Sequence, residues 1–153
     1  MRLQKEEGYW HGAYGGPLFL LPGFLIVQSI TGFSLSAKER EGMLAYLTHV
    51  QNSDGGFGLH EEGPSTVFGT ALNYVALRLL GLPLEASSAH RAQVCLLRLG
   101  GAESIPTWGK FWLAVLGVYQ WNGVVPLPPE MWILPRFLPI HPGRYWCHSR
   151  AVF

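Results

Sequence analysis

The stretch QNSDGGFGLHEEGPSTVFGTALNY, Gln51 to Tyr74, decides how this chain folds. Its first half is a turn: Asp54 favours a side-chain-to-backbone bond, and Gly55, Gly56 and Gly58 supply backbone freedom that other residues lack. Gln51 is placed to close a preceding helix, and Phe57 to lay its ring over the glutamine amide. The second half reads as a helix from Ser65 to about Leu80. Val67, Ala71, Tyr74, Val75 and Leu79 fall on one side of it, and Gly81 stops it. Helix, glycine turn, helix, without period-two alternation, predicts an all-α architecture.

Working outward, the same pattern recurs. Upstream, Ser36 and Glu39 have the spacing of a capping box and open a helix through Met43, Leu44, Leu47 and Val50. Before that, Pro17 begins a helix to about Ile30, since proline at the first helical position sacrifices no hydrogen bond. Downstream, Glu85 to Leu99 forms a helix ended by Gly100 and Gly101. Trp108 to about Trp121 forms another, apolar on most sides and therefore expected to be buried. Pro126, Pro128, Pro129, Pro135, Pro139 and Pro142 then allow only short helical turns, and a last helix begins near Gly143. Helical hairpins joined by glycine turns predict an α/α toroid, with inner and outer helices alternating around a cavity. Two elements share the spacing Gln-x-x-x-Gly-x-aromatic: Gln4, Gly8 and Trp10, then Gln51, Gly55 and Phe57.

Composition narrows the class. Only 14% of the 153 residues are Asp, Glu, Lys or Arg, 48% are apolar and six are Trp. A typical soluble domain carries about 25% charged residues, so this chain has too few to cover a small sphere. That deficit implies a membrane-contacting surface, a surface made for a further domain, or both. The net charge of +1 and the scattered Lys and Arg exclude a nucleic-acid footprint. Cys95 and Cys147 lack metal-ligand spacing and read as free thiols. The longest apolar run, Pro17 to Val27, is broken by Pro22 and Gly23 and is shorter than the roughly 20 residues of a spanning helix. Preceded by Lys5, Glu6 and Glu7, it also makes a poor secretory leader.

Four segments and the two Gln-to-aromatic repeats together carry a family likeness: AYGGPLFLLPG (Ala13–Gly23), QNSDGGFGLHEEGPSTVFGTALNY (Gln51–Tyr74), TWGKFWLAVLGVY (Thr107–Tyr119) and LPPEMWILPRFLPIHPGRYWCHSR (Leu127–Arg150). In these the chain resembles the amino-terminal part of an oxidosqualene cyclase, the family of lanosterol and cycloartenol synthases, whose QW repeat has the spacing just described. The likeness runs from Gln4 to Phe153. It implies that residues 1–153 are the amino-terminal part of a squalene-cyclase-type α/α barrel, incomplete in this chain, with QW-type repeats near 4–10 and 51–57. It implies no metal and no cofactor.

The implied reaction protonates the epoxide of 2,3-oxidosqualene, closes fused rings through carbocations, rearranges them and releases a proton. Such cations need a dry cavity lined by aromatic faces, each worth about 2 kcal/mol or more to a desolvated cation. By residue type alone Trp108 and Trp146 are core aromatics, His148 an interior hydrogen-bonded histidine and Tyr14 a turn residue. The resemblance implies instead that Tyr14, Trp108, Trp146 and His148 line the substrate cavity, with Tyr14 favouring a lanosterol- or cycloartenol-type product. Ser149 stands where relatives carry a cysteine beside the substrate channel. The family's acidic motif, Asp-Cys-Thr-Ala-Glu, is absent, and Asp54, the chain's only aspartate, fits a capping role. The chain alone is therefore expected to be catalytically silent and, with inner helix faces uncovered, to aggregate or stay molten. The resemblance further implies monotopic attachment to the endoplasmic reticulum membrane or lipid droplets, with Trp132, Ile133, Leu134, Phe137 and Leu138 either at that surface or in a core.

A non-catalytic helical module that binds isoprenoid lipid or a partner surface is the alternative. The β subunit of a protein prenyltransferase shares the toroid and an Asp-Gly-Gly-Phe turn, but its zinc ligands have no counterpart here. His60, Glu61 and Glu62 lack metal-ligand spacing and read as a surface loop. Cys147 and His148 are adjacent and point apart on a helix, so they make no nucleophile and base. Glu130 reads as a partner for backbone donors at a helix start.

Overall fold

Ser36 starts the first helix whose boundary the sequence dictates in full. In the computed structural model, which describes Glu6, Gly8, residues 15–124 and residues 129–144, the Ser36 hydroxyl accepts the Glu39 N–H. The Glu39 carboxylate accepts the Ser36 N–H at 2.9 Å in return. The helix so capped, α2, is Ala37–His49; α1 is Leu20–Thr31, α3 Val67–Leu79, α4 Ser87–Arg98 and α5 Thr107–Val115. Short 3-10 turns follow at Ala102–Ser104, Trp121–Gly123, Pro129–Ile133 and Pro142–Arg144. No strand occurs among the described residues. The chain is all-α, as its pattern predicts.

Helix α3 is the centre. Thr66 caps it, accepting the Gly69 N–H at 3.0 Å, and Gly81 turns the chain away with φ +89°. Eight of its residues are buried, from Phe68 round to Leu77, so nearly its whole circumference meets protein. α1 packs against it from one direction and α4 from another. One cluster gathers Leu18, Leu25, Leu47, Phe57, Ala76 and Leu77; a second gathers Ile26, Phe68, Leu72, Leu96, Ile105 and Leu113. Two expectations need correcting. Pro17 does not open α1 but lies in an isolated antiparallel bridge to His60, and the helix begins at Leu20, where Pro22 still falls in the first turn and removes no helical bond. The helix after Trp108 is neither long nor wholly buried. It ends at Val115, because Gly117 takes φ +83°, and buries only Gly109, Leu113 and Ala114. The encircled helix is α3, which carries small residues where neighbours approach.

The turn of residues 51–58 is fastened to two helices, α3 and α4. Gln51 donates from Nε2 to the Gly55 carbonyl at 2.7 Å and to the Ser88 carbonyl at the start of α4 at 2.9 Å. The sequence predicts a ring over that amide; the contacts found are these two bonds. Phe57 is fully buried, with its N–H donating to Thr70 Oγ1 of α3 at 3.0 Å. Asp54 Oδ1 accepts the Gly56 N–H at 3.0 Å and the Ser65 hydroxyl at 2.7 Å, and Oδ2 meets Arg98 at 3.0 Å. The Ser65 hydroxyl foremost, then the Gly56 N–H, hold the Asp54 carboxyl below its usual range, and the Arg98 charge adds to this. Of the first repeat, Gly8 has φ +90°, a turn conformation that glycine supplies, whereas Gln4 and Trp10 lie outside the described residues.

Two outcomes follow for stability, to be measured with this segment inside a longer protein that covers its inner helix faces. Replacing Phe57 with Ala empties the first cluster and lowers unfolding free energy by about 3–5 kcal/mol in urea titrations. Asp54 has a depressed folded pKa, so its contribution is present above the unfolded carboxylate value and is lost as pH falls through the folded one. Urea midpoints should therefore drop as pH falls below about 4, the unfolded carboxylate value. Glu39, also lowered by its bonds to Ser36, acts in the same sense, so Asp54→Asn should reduce that drop without abolishing it.

Candidate functional site

Trp108 stands at the first turn of α5, and what it touches is set by its neighbour Gly109. A Cβ at Gly109 would come within 3.1 Å of the Phe68 ring, so glycine lets α5 lie close on α3. Trp108 then stacks on Phe68 at 5.1 Å between centroids and 22° between planes. Phe19, just before α1, meets the same indole edge-on at 5.9 Å and 69°. Three rings from three parts of the chain are thus in mutual register, the offset and edge arrangements that ring quadrupoles favour.

Phe19 and Trp108, the latter backed by Phe68, border an apolar groove of about 380 Å³, completed by Leu20, Phe24 and Val27 of α1 and Trp112 of α5. Leu20, Phe24 and Val27 recur at i, i+4 and i+7 and are each about half exposed. Ile26 and Leu72 behind them are buried. The groove is of a size that small-molecule sites occupy, about 300–1,000 Å³. It offers aromatic faces and aliphatic carbon, with no ionisable group among the described residues of its lining. Chemically it suits an apolar ligand, or a cation held by ring faces rather than by counter-charges.

Of the residues singled out from sequence, Trp108 is at this groove. Tyr14, Trp146, His148 and Ser149 lie outside the described residues. Tyr14 is joined through Gly15 to a segment that is firmly held: the Gly16 carbonyl accepts the Glu61 N–H at 2.9 Å and the Leu18 N–H donates to the Leu59 carbonyl at 2.9 Å. The wholly buried Asn73 donates to the Leu18 carbonyl at 2.9 Å and to the Gly69 carbonyl at 2.8 Å. Phe19, Phe68 and Trp112 were not singled out by sequence reasoning. Phe68 precedes a helical glycine and Trp112 lies one turn after Trp108, and those two spacings are the signal that marks them.

Other constellations fall away on geometry. His60 sits on an exposed loop, its Nδ1 accepting the Glu62 N–H at 3.3 Å, and no group of metal-ligating side chains occurs among the described residues. Cys95 is buried and free; burial first, then the Asp54 carboxylate, push its thiol up, so it is unreactive. Asp54, held ionised by its donors, has no proton to give near neutral pH. No helix among the described residues is long and apolar enough to cross a membrane.

Comparison with known proteins identifies the family. A family model described as the squalene-hopene cyclase N-terminal domain matches residues 1–153. Lanosterol synthase of Mus musculus is 57% identical over 152 residues, which cover 99% of this chain and 21% of that protein. Cycloartenol synthase of Dictyostelium discoideum is 52% identical over 153 residues, 99% of this chain and 22% of that protein. Protostadienol synthase A of Neosartorya fischeri is 49% identical over 152 residues, again 99% and 21%. The chain spans about a fifth of the length of the curated relatives it matches.

Proposed function

This chain belongs to the squalene-hopene cyclase N-terminal domain family, and from that premise we propose that it forms part of the cavity wall of an oxidosqualene cyclase acting on 2,3-oxidosqualene. The observation that carries the reading is the Phe68–Trp108–Phe19 ring group beside an apolar groove with no ionisable group among the described residues of its lining. Tyr14, Trp146 and His148 join Trp108 on that wall, and Ser149 lies by the channel through which substrate arrives. These assignments rest on the matched motifs.

The reaction is an isomerisation. A proton taken up by the epoxide oxygen breaks a C–O bond, successive double bonds attack the cation so formed, and a proton leaves at the end. Each intermediate carries a full positive charge that water would trap. This chain's part is to exclude water and to present ring faces, each worth about 2 kcal/mol to a desolvated cation. Tyr14 favours a sterol-type product. Asp54 is tied up in the turn and is not the proton donor, and on this reading the acid comes from the rest of a full-length cyclase. Substrate of this kind enters from a bilayer, which places the protein on one face of the endoplasmic reticulum membrane or of a lipid droplet. Exposed Ile133 and Phe137 support such a surface.

The purified chain should yield no cyclised product from 2,3-oxidosqualene. The same chain grafted in place of the matching segment of the mouse lanosterol synthase should yield one. In that graft, Trp108→Ala should lower kcat about 30-fold, the equivalent of one lost cation–ring contact, while Trp108→Phe keeps most of it. Product from the chain alone, or unchanged turnover by Trp108→Ala, would contradict the reading.

A further inference from the structure

The proline-rich segment holds a polar pocket among side chains that are otherwise apolar and open to solvent. Ile133, Phe137 and Ile140 are 82%, 76% and 58% exposed. In the same segment a cavity of about 400 Å³ is lined by Trp132, Arg136, His141 and Gly143. His141 is buried, at 6% exposure, and its Nδ1 accepts the Gly143 N–H at 3.0 Å. The neutral imidazole therefore carries its proton on Nε2 and is a donor there. The Trp132 ring meets it edge-on at 6.2 Å and 87°. Arg136 brings a planar fork of donors, and no carboxylate is among the described residues that line the cavity.

A fixed cation and a second N–H donor, without a competing acid, match a compact oxyanion, and guanidinium geometry matches the oxygens of a phosphate group. The neighbouring Ile133, Phe137 and Ile140 match acyl chains. We propose that this pocket binds the phosphodiester headgroup of an anionic phospholipid, with the three aliphatic and aromatic side chains dipping beside it. The inference rests on the membrane contact proposed above and adds a headgroup site to it.

Vesicle flotation tests it, using the full chain, phosphatidylcholine vesicles and vesicles in which part of that lipid is replaced by phosphatidylglycerol. The wild-type chain should bind both, the anionic ones about fivefold more tightly, the worth of one arginine beside an anionic leaflet. Arg136→Gln should remove the fivefold preference and keep the wild-type circular dichroism. Lys38→Gln, an equal change of charge on α2, should keep the preference. Equal binding to the two vesicles, or equal loss in Arg136→Gln and Lys38→Gln, would overturn the headgroup site and leave the membrane contact standing. Binding to neither would overturn the membrane contact itself. Loss of the preference in inorganic phosphate at fixed ionic strength would assign the pocket to the free anion and overturn the lipid source.

Discussion

The close approach of the 51–58 turn to α3 at Gly69 is the constraint on which the rest of the structure depends. A Cβ at Gly69 would lie 2.3 Å from the Gly58 carbonyl oxygen and 2.6 Å from that of Phe57, distances that side-chain carbons do not tolerate. On the opposite edge of the turn, a Cβ at Gly55 would meet the Arg91 carbonyl oxygen at 2.7 Å. The turn is thus pressed between α3 and α4 by backbone alone. Such contacts leave no slack, so the hydrogen bonds can only be made in one register: the Thr66 N–H to the Phe57 carbonyl at 3.0 Å and the Phe57 N–H to Thr70 at 3.0 Å.

From that seat the functional surface follows. With Phe57 sunk beneath α3, Phe68 one residue before Gly69 is turned to the other cluster, where Gly109 admits it against Trp108. Asn73, one turn beyond Gly69, holds the Leu18 carbonyl and so fixes the entry to α1, whose Leu20, Phe24 and Val27 complete the groove. Small residues set the spacing and large rings fill what the spacing leaves. The half-exposed α1 face is apolar surface of the kind that a globular protein covers with another part of itself or with a ligand.

Much of this was legible in the sequence, and the reasons differ by residue. Ser36 and Glu39, Gly81, and the Gly100–Gly101 pair announce helix ends by local chemistry, which tertiary packing seldom overrides. The Gln51, Gly55, Phe57 spacing disclosed a fastening turn, though its bond to Ser88 depends on a helix 37 residues away and has no local trace. Pro17 misled because a first-turn proline and a proline in an extended bridge look alike until the partner, His60, is placed. The length of α5 misled because apolar residues continue through Val118 while Gly117 ends the helix. Trp108 was found through its motif, whereas Phe19 and Phe68 became visible only once three separated segments met.

The most direct measurement of the central claim is a matched pair of glycine substitutions, made in the mouse lanosterol synthase graft where the inner helix faces are covered, followed by thermal melting and product formation. Gly42 lies in α2 with open space around its missing Cβ, so Gly42→Ala should keep the native melt and gain about 0.5–1 kcal/mol from helix propensity. Gly69→Ala should lower the melting temperature and remove product formation, because the turn can no longer sit on α3. A Gly69→Ala chain that melts as the unsubstituted one does would contradict the account.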